Sequence, residues 1–179
     1  MTTHTLRWRP LLAAGLVSGL AQIVAGVVMY LSGVYFAAWS ALVSLLLLAV
    51  GIAGGTRWYV VRVLGGRSTY LTALLVGIVI GVSTGLVYVI YNIVSISFVY
   101  PHFLEDMVQA EFARRQSAGL DPSRARQVLD TLRARTTIGT VVANNLRAFS
   151  LFGAVLSALT AIAHRKGTVA LPGPRMSAS

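Results

Sequence analysis

The residue whose type and position most clearly suggest chemistry is Arg147. It lies within an apolar run that is long enough to cross a membrane, and a charge at membrane depth is costly enough to indicate a functional site. The uncharged polar residues that could accompany it at an intramembrane site are Gln22, Tyr88, Asn92 and Asn144. The alternative is a span that begins near Leu146, with the Arg147 side chain extending to the lipid headgroups. The sequence leaves both interpretations open.

The remaining residues do not form a recognisable catalytic or metal site. All five acidic residues lie between Glu105 and Asp130, so no apolar run carries a carboxylate for a proton relay or a cation site. The chain has no cysteine, and its three histidines lie at the ends of apolar runs. No nucleophile and base can be paired from spacing alone. We therefore expect no catalytic residue, no cofactor and no metal, and a protein that is not an enzyme.

The composition is typical of an integral membrane protein. Hydrophobic residues make up 56% of the 179 residues and charged residues 11%, against about a quarter charged in soluble domains. A net charge of +10 would suggest nucleic acid in a soluble protein. Here the basic residues outside the acidic segment lie at the ends of apolar runs, which indicates orientation in a membrane. We expect the lipid bilayer as the partner and no nucleic acid. Whether the chain forms a homo-oligomer stays open, and no protein partner is indicated.

The apolar runs predict an all-α, integral membrane bundle of four transmembrane helices. The predicted spans are about 11–31, 39–55, 71–100 and 140–163. Residues 101–137 carry helix start and stop signals, notably Gly119 and Asp121-Pro122, and predict an external amphipathic helical hairpin. Residues 1–166 would form one domain, followed by a disordered cytoplasmic tail at 167–179. A cleaved signal peptide ending near Gly19-Leu20-Ala21 is the alternative for the first run.

Small residues recur every three or four positions along these runs. The third run places Gly77, Gly81 and Gly85 on one face, which continues into Tyr88 and Asn92. Small residues let membrane helices approach closely, so this face predicts helix packing. The packing residues predicted in this way are Gly15, Gly19, Gly77, Gly81, Gly85 and Ser157. The alternative is that glycine is simply frequent in membrane helices.

The distribution of basic residues predicts the orientation. The N-terminus, the segment 56–70, which we expect to be a loop, and the C-terminus carry bases without acids, whereas arginines and acids are mixed in 101–137. Cytoplasmic segments carry the excess of arginine and lysine, so both termini should be cytoplasmic and the hairpin external. The expected location is a bacterial inner membrane.

Several short motifs, in order, make the chain resemble a bacterial membrane family catalogued as domain of unknown function 4199. They are Gly54-Gly55-Thr56-Arg57-Trp58-Tyr59, Gly65-Gly66, Tyr88 with Tyr91, Tyr100-Pro101-His102-Phe103, Ala118-Gly119-Leu120-Asp121, Leu156-Ser157-Ala158 and Arg165-Lys166, and they cover residues 10–166. The resemblance implies a four-helix membrane protein, and it gives no activity. The family's acidic, proline-flanked motif before the last span is replaced here by Arg147, Ala148 and Ser150, so the resemblance gives Arg147 no role.

The functional expectation is a non-catalytic structural or regulatory helix bundle. The alternative is a small oligomeric transporter or channel in which Arg147 lines the bundle interior. A membrane enzyme would need acids or a nucleophile–base pair within the spans, and the sequence shows neither.

Overall fold

The computed structural model describes residues 7–37, 39–66 and 68–166, and the side chains of 164–166 are not described. This part of the chain is all helical. Its α-helices are α1 (Trp8–Leu31), α2 (Ser40–Arg62), α3 (Tyr70–Val94), α4 (Phe103–Ser117), α5 (Ala125–Arg135) and α6 (Ile138–Lys166). Four of them, α1, α2, α3 and α6, are long and apolar enough to cross a membrane, and α4 and α5 lie between the third and fourth. The predicted fold class is confirmed. The predicted tail at 167–179 lies outside the described residues.

The largest boundary error concerns α2, which continues to Arg62 although the apolar run ends near Gly55. Segment 56–70 was expected to be a loop, and this expectation was wrong for residues 56–62, which belong to α2. Thr56, Tyr59 and Val60 are buried whereas Arg57 and Trp58 are exposed, so the helical period persists into the basic segment. Gly65 and Gly66, with φ of +66° and +81°, form the turn that follows.

Helix α3 lies at the centre of the bundle. Half of its apolar stretch is buried, against 17–33% in the other three candidate spans, because it packs against α1, α2 and α6. Its last turn widens into a π-helix over Ser95–Val99, and the backbone N–H of Tyr100 donates to the Ser95 carbonyl at 2.7 Å. The chain then leaves α3 and enters α4 within three residues.

The α4–α5 hairpin follows the stop and start signals in the sequence. Gly119 has φ +92° immediately after α4, and the Asp121 carboxylate accepts from the N–H of Ser123 at 2.9 Å before α5. A salt bridge of 2.7 Å between Arg133 and Glu105 joins the two helices. Most of α5 remains exposed, whereas α4 buries Phe103 and Val108.

The apolar core is divided between the two ends of the bundle. Near the start of α1, Leu11 packs with Ile52, Tyr59 and neighbouring aliphatic residues of α2 and α3. At the opposite end, Phe103 of α4 packs with Ile96 and with Val141 of α6. This second core attaches the hairpin to the four long helices.

Candidate functional site

Two of the three glycines on the central face of α3 lie tightly against α6. A Cβ atom at Gly77 would lie 2.8 Å from Ser157 Oγ and 3.2 Å from Ser157 Cα. One at Gly85 would lie 3.0 Å from Phe149 Cβ, so the Phe149 side chain would have to shift slightly. At Gly81 the nearest atoms would be Ile52 Cδ1 at 3.4 Å and Gly153 Cα of α6 at 3.6 Å, which are ordinary contacts. An added methyl group therefore fits at Gly81 but not at Gly77.

The predicted packing glycines of α1 lie against α3. A Cβ at Gly15 would overlap the side chain of Ser83, and one at Gly19 would lie 2.8 Å from Val87 Cβ. The buried hydroxyl of Thr84 lies 3.2 Å from the Gly15 carbonyl and 2.9 Å from the Ile80 carbonyl, so one donor is shared between two helices. The absence of a side chain at Gly15 is what lets the Thr84 hydroxyl reach the backbone of α1.

Three of the five predicted polar site residues are buried in the bundle. Gln22 donates from Nε2 to the carbonyl of Ser44 at 2.8 Å, which joins α1 to α2. Asn92 donates from Nδ2 to the Tyr88 carbonyl one turn earlier in α3, at 2.9 Å. The Tyr88 hydroxyl lies 3.4 Å from that of Tyr35 in the loop between α1 and α2.

The structure does not place Arg147 or Asn144 inside the bundle. Both side chains are exposed on α6, whose buried face carries Gly153, Ser157 and Ala161. Two residues correspond to about 200° around a helix, so Arg147 faces away from Phe149, which contacts α3. Of the two interpretations of Arg147 that the sequence left open, the exposed position agrees with a side chain that extends away from the bundle, and not with one that lines its interior. On this part of α6, the bulky Phe149 forms the contact with α3.

Beside the buried tyrosines, α2 and α6 leave a pocket of about 460 Å³. Most of its lining is apolar, including Leu45, Leu48 and Phe152. Its polar lining residues are Tyr35, Ser40, Ser44, Tyr88 and Asn145. An apolar pocket with a few convergent polar groups is the usual form of a small-molecule site. Of the predicted polar residues, only Tyr88 lines this pocket.

An aromatic cluster lies between this pocket and the hairpin. It consists of Tyr30, Tyr35, Phe36, Tyr100 and Phe103, with ring centroids 4.7–6.5 Å apart in the contacting pairs. The Tyr30 hydroxyl donates to Asp106 Oδ2 of α4 at 2.7 Å. Tyr35 and Phe36 were not among the site residues predicted from the sequence. Tyr30 was not predicted either, because nothing in a single sequence pairs it with a residue 76 positions later.

The electrostatics of these groups favour hydrogen bonding over acid–base chemistry. Burial raises the pKa of Tyr35 above its usual value, and the neighbouring Tyr88 raises it further. The Tyr35 hydroxyl therefore stays protonated at neutral pH and can donate one hydrogen bond. Among the residues with described side chains, no three histidine or acidic residues lie close enough to hold a metal ion.

Comparison with known proteins identifies a family. Residues 14–166 match the family described as "Protein of unknown function (DUF4199)". No curated protein and no solved structure matches the chain.

Proposed function

The chain belongs to the DUF4199 family, and from that premise we propose that it is a non-catalytic structural or regulatory bundle in a bacterial inner membrane. The observation that best supports this proposal is that buried polar side chains of the candidate spans donate hydrogen bonds to backbone carbonyls. Gln22 bonds to Ser44, Thr84 lies between Gly15 and Ile80, and Ser157 bonds to Gly153 at 2.6 Å. Donors that are already bonded to backbone carbonyls are not available to bind or activate a substrate.

The proposed orientation rests on the charge at the two ends of the bundle. The backbone N–H of Arg7 donates to the Tyr59 hydroxyl at 2.9 Å, so the start of α1 and the end of α2 lie together. Exposed arginines at 7, 9, 57 and 62 lie at this end, and the acids lie in 105–130 near the other. The arginine end is then cytoplasmic, with both termini, and the hairpin is external.

A regulatory role is supported by the way the hairpin joins the spans. Helix α4 contacts α1 through the Tyr30–Asp106 hydrogen bond, and Phe103 inserts among the rings of the aromatic cluster. A partner that moves α4 would have to move these rings. The pocket between α2 and α6 shares Tyr35 with this cluster, so the same movement would change the pocket.

The proposal is tested with the purified chain in liposomes of phosphatidylethanolamine and phosphatidylglycerol. Mass spectrometry of the lipids over several hours is expected to show the same composition as in protein-free liposomes. Lipid turnover that disappears in the variant Tyr88→Phe would contradict a non-catalytic role, because it would make the pocket hydroxyl part of a reaction.

The pocket also supports a second candidate function, an oligomeric transporter or channel. Arg147 is exposed in one chain, so it could line a pathway only where a second copy covers the outer face of α6. Loss of solute flux from liposomes in Arg147→Ala, with an unchanged melting temperature, would favour transport. Equal flux in liposomes with the wild-type chain and in protein-free liposomes would remove this candidate.

A further inference from the structure

On the outer surface of the bundle, α1 and α2 leave an open groove of about 450 Å³, away from the pocket between α2 and α6. Six of its lining residues are alanine or glycine, which keeps it open: Ala13, Ala14, Ala21, Gly51, Gly54 and Gly55. A Cβ at Gly54 would meet nothing within 4 Å, so the space at this glycine is not used by helix packing.

The groove has the length of one bilayer leaflet. It extends from Pro10 to Ala21 along α1 and from Trp58 back to Leu47 along α2. Eleven residues of helix rise about 16 Å, which is about half of the roughly 30 Å hydrocarbon core. The groove therefore begins near one membrane surface and ends near the bilayer centre, as a single lipid chain does.

Each wall of the groove ends in an arginine on the same helix face. On α1, the lining residues at intervals of four are Ala21, Val17 and Ala13, and the next residue on this face is Arg9. On α2, the lining residues at the same interval are Val50, Gly54 and Trp58, and the next is Arg62. Both arginines are exposed, and within the described residues neither has an acidic partner. They lie at the same end of the bundle, where Arg7 contacts Tyr59.

From these observations we infer that the groove binds an anionic phospholipid, with one acyl chain between α1 and α2 and the phosphate near Arg9 and Arg62. Basic residues at the mouth of a groove between membrane helices attract anionic headgroups. The half-exposed indole of Trp58 lies at the depth where tryptophan favours the membrane interface. Under the proposed orientation the lipid comes from the cytoplasmic leaflet.

A helix from a second copy is the competing occupant, and the charges oppose it. Two copies related by an axis along the membrane normal would bring both pairs of arginines together at the same end. Ser18 lines the groove but offers a partner helix no accessible hydroxyl, because the side chain is 7% exposed and its Oγ is buried against Gly51 of α2.

The test uses native mass spectrometry of the full chain in detergent with added dioleoyl phosphatidylglycerol, compared with dioleoyl phosphatidylcholine. The wild type is expected to retain the anionic lipid preferentially. Arg9→Gln with Arg62→Gln should lower that preference by about fivefold per arginine while phosphatidylcholine binding stays unchanged. Gly54→Leu should reduce retention of both lipids because it fills the groove. Arg147→Gln is the matched control, since it removes an exposed arginine from α6, and it should bind as the wild type does.

The melting temperature of each variant is also measured, so that a loss of folding is not mistaken for a loss of lipid binding. Unchanged retention of both lipids in folded Gly54→Leu and in the double arginine variant would overturn the inference. It would also be overturned if Gly54→Leu converted a dimer into a monomer without affecting lipid, because that result assigns the groove to a second copy.

Discussion

The hydroxyl of Tyr30 in α1 donates a hydrogen bond of 2.7 Å to the carboxylate of Asp106 in α4, 76 residues later. The ring of Tyr30 also packs against Tyr100 and Phe103, with centroids 4.7 and 5.6 Å apart. One side chain of a candidate span thus holds the first helix of the hairpin by both apolar contact and a charged hydrogen bond.

Removing that hydroxyl should loosen α4 without unfolding the bundle. Hydrogen bonds to charged groups contribute about 1.5–3 kcal/mol, so Tyr30→Phe should speed amide exchange in residues 103–110 by about 10- to 100-fold. Hydrogen exchange with mass spectrometry measures this directly. Tyr70→Phe, at the exposed start of α3, is the control and should leave exchange in α4 unchanged. Equal exchange in Tyr30→Phe and wild type would show that Asp106 does not hold the hairpin.

Closure of the hairpin should weaken in acid. The Arg133 guanidinium, followed by the Gln109 amide, lowers the pKa of Glu105 below its usual value. A carboxylate with a lowered folded pKa contributes stability above its unfolded pKa, and this contribution is lost as the pH falls through the folded value. Spin labels at Ala113→Cys and Gln127→Cys should therefore report a broader distance distribution between α4 and α5 in acid.

Glu105→Gln separates this effect from other acid-sensitive contacts, such as the Asp121 cap, whose pKa is also lowered by its hydrogen bonds to Ser123. The variant should show the broader distribution already at neutral pH and a smaller change on acidification. If the variant and the wild type respond equally to acid, the Glu105–Arg133 pair does not close the hairpin.

The four long helices were predictable because uncharged runs and the periodicity of small residues are local signals. Gly15, Gly19, Gly77 and Gly85 are buried at close approaches between helices, as the spacing of small residues indicates. The end of α2 was not predictable from hydropathy, because a helix can continue after its apolar run has ended. Tyr59 shows this, since it is fully buried within the basic segment.

The side chains around the pocket could not be derived from the sequence, because they depend on how the helices rotate against one another. Arg147 and Phe149 are two positions apart, and only the packing of α6 on α3 decides which of them faces inward. The Tyr35–Tyr88 and Tyr30–Asp106 contacts join residues 53 and 76 positions apart. No spacing rule for helices or turns covers such distances along the chain.

Side-specific labelling should find the hairpin outside and the α2–α3 turn inside. Ser117→Cys should react with a membrane-impermeant maleimide in intact spheroplasts, whereas Ser68→Cys should react only after permeabilisation. The chain has no cysteine of its own, so each variant carries a single thiol. The reverse pattern would overturn the proposed orientation. Labelling of both sites from outside would show that α3, the one candidate span between them, does not cross the membrane.

The hydrogen bond from Gln22 to Ser44 should contribute little to stability. Interhelical hydrogen bonds in membranes contribute about 0.6 kcal/mol on average, so Gln22→Leu, which has a similar volume, should lower the free energy of unfolding by about that amount. Unfolding in sodium dodecyl sulfate gives the value. Leu20→Ala, which shortens an exposed side chain of the same helix, is the control. A loss above about 2 kcal/mol would mean that Gln22 belongs to a larger polar network.

The central claim is that helices α1 and α6 pack on α3 at glycines where an added side chain would meet the neighbouring helix at less than ordinary contact distance. Gly77→Ala would place a methyl group 2.8–3.2 Å from Ser157, including its Cα, whereas Gly81→Ala adds the same group at ordinary contact distances. The decisive measurement is the free energy of unfolding of these two variants in the same detergent. Gly77→Ala should lose about 1–3 kcal/mol through overpacking, and Gly81→Ala should remain within about 0.5 kcal/mol of the wild type. Equal stability of both variants, or a larger loss in Gly81→Ala, would contradict this packing.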